Sequence, residues 1–201
     1  MSPKTVVIGA AVVGAVLFAG YQLRTASEEQ LARAEAQAAQ SPTSSPGAVA
    51  ELKDLDGNTL GTVEFTETPS GVVHVVASAS DVPEGVHGFH IHETGACDAS
   101  TGFKSANGHL AGDMKHGLVA GGPHPGDLPN VHVHADGKLD VEFFHAGPDF
   151  QDKSWFDAVG LFDDDGSAMV MHGGADDYES QPSGAAGPRI ACGVITRSGD
   201  A

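Results

Sequence analysis

From Ala48 onward the chain is cut into short runs in which apolar and polar residues alternate, and a period of two commits those runs to strands. Residues 49–55 lead into Asp56-Gly57-Asn58, residues 60–66 follow, and residues 72–79 come after Pro69-Ser70-Gly71. Residues 131–135 run into Asp136-Gly137, a hairpin dipeptide, after which Leu139, Val141 and Phe143 alternate with Asp140, Glu142 and Phe144. Residues 159–162, the turn 163–166 and residues 168–172 read as another hairpin, and residues 188–196 close the chain. Seven or eight strands at this spacing, with no convincing amphipathic helix, predict an all-β sandwich or barrel. About 150 residues suffice for one such core.

The first 47 residues have a different composition. Residues 6–23 carry no charge, and as a helix they would span about 27 Å, close to a bilayer core of roughly 30 Å. The small-x-small sites at Ala34 to Ala38 lie well beyond that run, which favours an uncleaved transmembrane anchor over 1–24; cleavage as a signal peptide, with secretion, is the alternative. Residues 25–47 are a tether without an apolar face, ending in a Ser/Pro-rich linker, so the folded domain is expected over 48–201.

The net charge of −17 argues against nucleic acid as a partner, because a phosphate-binding surface must be basic. The two cysteines, Cys97 and Cys192, read as one disulfide behind an export segment, the rival being two buried free thiols. The anchor and the disulfide together place the domain outside the cytoplasm, in a periplasm or at a cell surface. Oligomeric state is left open.

Most of the eleven histidines fall between His87 and His134. In Gly88-Phe89-His90-Ile91-His92-Glu93, the two imidazoles lie at i and i+2 of a strand and point to one face. Downstream, His109, His116, His124 and Asp127 fall within a long glycine-rich loop, the composition of a four-ligand zinc site. His90, His92 and His172 make an all-imidazole set, which suits copper.

The segments GFHIHE (88–93), GACD (95–98), KHG (115–117), GPHPGDLPN (122–130), MHGGADDY (171–178) and PRIACGVI (188–195) occur in the order found in bacterial-type copper/zinc superoxide dismutases, and the chain resembles that family over residues 48–196. The resemblance implies a flattened eight-stranded Greek-key β-barrel with long metal-binding loops. It implies copper held by His90, His92, His109 and His172, and zinc held by His109, His116, His124 and Asp127, with His109 shared. It further implies that Asp176 links a copper histidine to a zinc histidine, that Arg189 overhangs the copper, and that Cys97 pairs with Cys192. The implied activity is dismutation of superoxide to oxygen and hydrogen peroxide, with Arg189 attracting the anion and His109 carrying a proton. The chain departs from the family after His109, where Leu110-Ala111-Gly112-Asp113-Met114 replaces an aromatic and Asn-Pro.

Two rivals remain at this stage: a metal-binding module of the same fold without dismutase activity, and a cupin-type metalloenzyme. A cupin would need a glutamate several residues after the His-x-His pair, whereas Glu93 follows His92 directly and faces the other way. His132 and His134 repeat the pattern beside a turn and read as the solvated face of a hairpin. His74 sits mid-strand, His145 precedes a loop, and His87 is out of phase with His90 and His92. Trp155, Phe156 and Phe162 read as core or interface.

Overall fold

Strands form where the alternation is cleanest, and each buries one side of it. In the computed structural model, which describes residues 47–146 and 154–199, these are β1 (Ala48–Asp54), β2 (Thr59–Glu67), β3 (Val73–Ala79), β4 (Gly85–His87), β5 (Phe89–His92), β6 (Val131–Val133), β7 (Leu139–His145), β8 (Ala168–His172) and β9 (Arg189–Arg197). In β3 the odd-numbered residues Val73, Val75, Ala77 and Ala79 are buried while Ser78 is exposed, as a strand with one wet face requires. Every ladder is antiparallel. A seven-stranded sheet has the order β5-β8-β9-β1-β2-β3-β7, and β4 pairs with β6 in a separate ribbon. The sheet curls around a core that includes Leu52, Phe65, Phe89, Ile91, Leu139 and Met171. Burying one such side chain is worth about 1.5–3 kcal/mol.

Among the described residues the strands number nine, against the expected seven or eight, and Gly88 splits one stretch into β4 and β5. Its N–H donates to Gly174 O at 2.8 Å and its own carbonyl accepts from His172 N at 2.9 Å, so the chain leaves one sheet for the other there. A Cβ on Gly88 would meet Ala186 Cβ at 2.8 Å.

The hairpin expected over 159–172 is not formed. Residues 159–162 are turn, preceded by a one-turn helix α1 (Trp155–Ala158). The Glu67 carboxylate fixes that helix, accepting from Ser154 Oγ at 2.7 Å and Phe156 N at 2.8 Å. Trp155, Phe156 and Leu161 are buried, so this apolar run plugs the core instead of joining the sheet. The strand expected over 131–135 stops at Val133, because His134 already belongs to the turn, with its N–H donating to Lys138 O at 3.0 Å. His145 ends β7, buried, with Nε2 2.9 Å from Pro125 O.

The anchor at 1–24 and nearly all of the tether lie outside the described residues. Among the described residues, no helix is long and apolar enough to cross a membrane.

What positions the site is the two-sidedness of β5 and β8. All four residues of β5 are buried. Phe89 and Ile91 enter the main core, so His90 and His92 project from the outer face, beneath the long loops. In β8, Met169 and Met171 take the core side, while Ala168 and Val170 pack with Phe103, Ala106 and Cys192 on the other. His172 continues that outer phase.

Candidate metal centre

The loop after β5 is sewn to the strand's free edge. Glu93 N donates to Gly108 O (3.0 Å), Leu110 N to Ile91 O (2.8 Å) and Ile91 N to Gly126 O (2.9 Å). Bridges pair His92 with His109 and His90 with Asp127. A side chain at Gly126 would strike the Ile91 carbonyl and Leu110, so only glycine allows this approach. The loop thus delivers His109 and Asp127 to the face that already carries His90 and His92.

One nitrogen from each of His90, His92, His109 and His172 lies within 4.8 Å of the others, and all four side chains are buried. His90 Nδ1 and the Nε2 atoms of His92, His109 and His172 are buried with no hydrogen-bond partner. In three of the rings the opposite nitrogen is engaged by an oxygen acceptor: His90 Nε2 by Asp176 Oδ2 (2.8 Å), His92 Nδ1 by Asn107 O (2.9 Å) and His172 Nδ1 by Gly187 O (3.3 Å). A neutral imidazole that donates at one nitrogen presents a lone pair at the other. Lone pairs therefore converge on one point with no donor among them, an arrangement that only a cation satisfies. Burial lowers the pKa of His92 to about 2, aided by positive charge on His109 and Arg189, and burial followed by His90 lowers that of His172 to about 3. Both rings are neutral near pH 7 and ready to ligate.

A second cluster, His109, His116, His124 and Asp127, is also buried and equally close-set. Asp127 Oδ1 stands 2.9 Å from His109 Nδ1, 3.0 Å from His116 Nδ1 and 3.2 Å from His124 Nδ1. Oδ2 is held by the N–H groups of Gly117 (2.8 Å) and His124 (3.0 Å). Burial works to raise the Asp127 pKa, but the hydrogen bonds from His109 and Gly117 and the charges of His124 and His116 outweigh it and keep the group ionised. Three nitrogens and one carboxylate oxygen form a closed set for zinc. His109 belongs to both clusters, turning Nδ1 to one and Nε2 to the other. The altered residues after it do not displace it, because Leu110 N and O are both taken up in the seam with β5 and Gly126.

The sequence comparisons agree with this geometry. Residues 59–195 match the family model described as copper/zinc superoxide dismutase (SODC). The chain belongs to the copper/zinc superoxide dismutase family. It is 42% identical over 148 residues to superoxide dismutase [Cu-Zn] 2 of Aquifex aeolicus, covering 73% of this chain and 84% of that protein. It is 40% identical over 151 residues to superoxide dismutase [Cu-Zn] of Caulobacter vibrioides, covering 74% and 84%. The crystal structure of a SOD-like protein from Bacillus subtilis superposes with a TM-score of 0.64 at 36% identity, covering 72% of this chain and 95% of that one. The cofactors of this superoxide dismutase are copper and zinc, and both clusters have the donors to take them.

Asp176 ties the two halves of the dismutase centre together. Its Oδ2 meets His90 Nε2 at 2.8 Å and its Oδ1 meets His116 Nε2 at 3.0 Å. Burial pushes its pKa up, yet the His90 hydrogen bond, the Tyr178 N–H and His116 hold it below the usual carboxylate range. Arg189 sits at the rim with its guanidinium donating to the carbonyls of Phe103 (2.5 Å) and Asn107. A cavity of about 500 Å³ opens there, lined by His92, His109, His172, Arg189 and Lys104 among others. Cys97 and Cys192 are bonded, which pins the 97–107 loop carrying those carbonyls to β9, the strand of Arg189.

Three positioning residues escaped the sequence reading. His87 is buried, with Nδ1 2.7 Å from His172 O and Nε2 2.9 Å from Pro83 O. Asn130 clasps the Asp176 backbone, Oδ1 accepting from Asp176 N (2.9 Å) and Nδ2 donating to Asp176 O (2.8 Å). Tyr178 OH accepts from Asn130 N at 2.7 Å. Asn130 and Tyr178 lie inside the GPHPGDLPN and MHGGADDY motifs, so a signal existed; for His87 there was only its neighbour Gly88. Of the other histidines, His74 Nε2 meets Glu142 at 2.9 Å across the strands, and His132 and His134 are exposed.

Proposed function

We propose that this chain converts superoxide to oxygen and hydrogen peroxide, with copper held by His90 Nδ1 and the Nε2 atoms of His92, His109 and His172. Zinc is held by the Nδ1 atoms of His109, His116 and His124 and by Asp127 Oδ1. The observation that carries the assignment is His109, one ring with a nitrogen in each of two ligand sets. Bound copper supplies the one-electron exchange, and zinc supplies charge without redox chemistry. The protein's own residues do the rest. Arg189 and Lys104 at the cavity rim attract the anion, and Arg189, fixed by two carbonyls, orients it. His109 lines the cavity, and its Nε2, when not holding copper, is positioned to hold a proton and pass it to reduced dioxygen. Asp176 keeps the His90 and His116 rings from turning.

A metal-binding module without activity would have no use for a guanidinium anchored at an open rim. The direct test is superoxide consumption by the full chain loaded with one copper and one zinc. A loaded protein that fails to accelerate the reaction overturns the reading.

The curled sheet and its β4–β6 ribbon support closure as a flattened Greek-key barrel of the family type. We also propose that residues 1–24 anchor the chain in a membrane and that 25–47 tether the dismutase outside the cytoplasm, where the Cys97–Cys192 bond is stable. Fractionation supports this if the full chain stays with the membrane and a chain lacking 1–24 does not. Association of subunits through the domain is left to measurement of its mass in solution.

A further inference from the structure

The outer face of the β4–β6 ribbon carries a histidine pair that the centre does not use. β6 is held extended by the pairs Val86↔His132 and Gly85↔Val133, with His87↔Val131 at the far end. Val131 and Val133 are buried, and His87 faces inward to the His172 carbonyl. His132 and His134, out of that phase, are both exposed and lie on the opposite side of the ribbon. His134 lies one residue past β6, and at the rise of an extended chain the two Cβ atoms stand about 6.6–7 Å apart, a spacing at which two imidazoles can close on one ion. The His134 backbone is fixed as the first residue of a turn, donating to Lys138 O at 3.0 Å and accepting from Gly137 N at 2.9 Å. No hydrogen bond or ion pair among the described residues occupies either ring, whereas the half-buried His74 is taken by Glu142. Across from His132 is Val86, which offers no competing group.

We propose that His132 and His134 form an exposed site for a borderline divalent transition cation, of which Cu(II) binds most tightly. Two imidazoles, with water in the remaining positions, are a donor set that suits Cu(II) and Zn(II) and offers little to Mg(II) or Ca(II). The site shares no ligand with the buried centre, which lies behind the ribbon's inner face. It therefore fills and empties without disturbing the catalytic metals.

The experiment starts from full chain already loaded with copper and zinc, dialysed and titrated with CuSO₄ in a buffer that does not bind copper. Equilibrium dialysis with metal analysis counts the added ion, and electron paramagnetic resonance reads nitrogen coupling at a second copper. Wild type is expected to take up one further equivalent with two-nitrogen coupling. His132→Asn and His134→Asn should each weaken that uptake at least tenfold, and the double variant should abolish it. His74→Asn should leave it unchanged. Unaltered dismutase activity and melting temperature show that the variants are folded. The proposal is overturned if wild type takes up no further copper, if the double variant retains it, or if His74→Asn removes it.

Discussion

Breaking the Cys97–Cys192 bond should damage both the stability of this protein and the geometry of its cation rim, by separable amounts. The bond joins residues 95 apart in the chain, and the chain-entropy model gives about 4.7 kcal/mol for a loop of about that length. At about 2–4 °C per kcal/mol for a chain of this size, metal-free protein should melt roughly 10–19 °C lower without it. Cys97→Ser is the better variant, since it leaves Cys192 in place among Phe103, Ala168 and Val170. The metal-free state is the right reference, because bound metal adds its own stabilisation. The functional effect follows from the carbonyls of Phe103 and Asn107, which hold the Arg189 guanidinium and lie on the loop that the bond restrains. With that loop released, superoxide consumption should fall while copper and zinc contents stay at one each. Calorimetry, metal analysis and a competition assay for superoxide read the three quantities. A melting shift under roughly 4 °C would refute the loop-closure account, since even the smallest usual effect of losing a native bridge, about 2 kcal/mol, exceeds it. A large shift with full activity would show that the Arg189 anchorage does not depend on the bond.

Arg189→Ile should slow the reaction roughly tenfold with copper retained, the lower end of what field focusing contributes, and Arg189→Glu should slow it further. Both differences should shrink at high salt in pulse radiolysis; full activity in Arg189→Glu with copper bound would remove Arg189 from the role. Gly184 has φ 66° and a Cβ there would fall on the Asp176 carboxylate and 2.6 Å from His116 Nε2, so Gly184→Ala should cost about 1–3 kcal/mol and weaken retention of both metals. Retention equal to wild type in competition with a chelator would refute it. Metal-free protein should lose stability as pH falls below about 6.5: His90, His92, His124 and His172 have folded-state values lowered chiefly by burial, so the unfolded chain takes up protons first. Asp127 and Asp176, also lowered, extend the loss below about 3.8. A melting temperature that rises from pH 7.5 to pH 5 contradicts that sign.

The ligand sets were legible because the chemistry of a metal centre leaves few substitutes. Two histidines at i and i+2 share a face whatever surrounds them, and a glycine-rich loop with three histidines and an aspartate has little other use. The fold class was legible from alternation alone. What escaped notice depends on partners distant in the chain. Gly88 ends β4 because it bonds to Gly174 and His172, more than eighty residues away, and nothing local marks that break. The run at 159–162 has the apolar character of a strand, yet the buried Trp155 and Phe156 and the Glu67 cap draw the preceding segment into a helical plug. His87 acts on backbone carbonyls, which have no sequence signature, and Asn130, although inside the GPHPGDLPN motif, clasps a backbone segment far along the chain.

The two metal half-sites are built with unequal exposure, and this division follows from the strand register. β5 and β8 fix His90, His92 and His172 on a rigid sheet face, where the mouth of the cavity reaches His92 and His172. His116, His124 and Asp127 come from a loop that could not hold their side chains so close by itself, since ionised Asp127 Oδ1 gathers three Nδ1 atoms around it. The loop is therefore ordered by its seam with β5 and by the Asp176 clasp, and a bound cation would add to both. His109 stands where these supports meet, with its backbone in the seam and one nitrogen toward each cluster. Loss of the loop cation should thus be felt at the open site through the orientation of one ring, while the sheet-borne ligands keep their places.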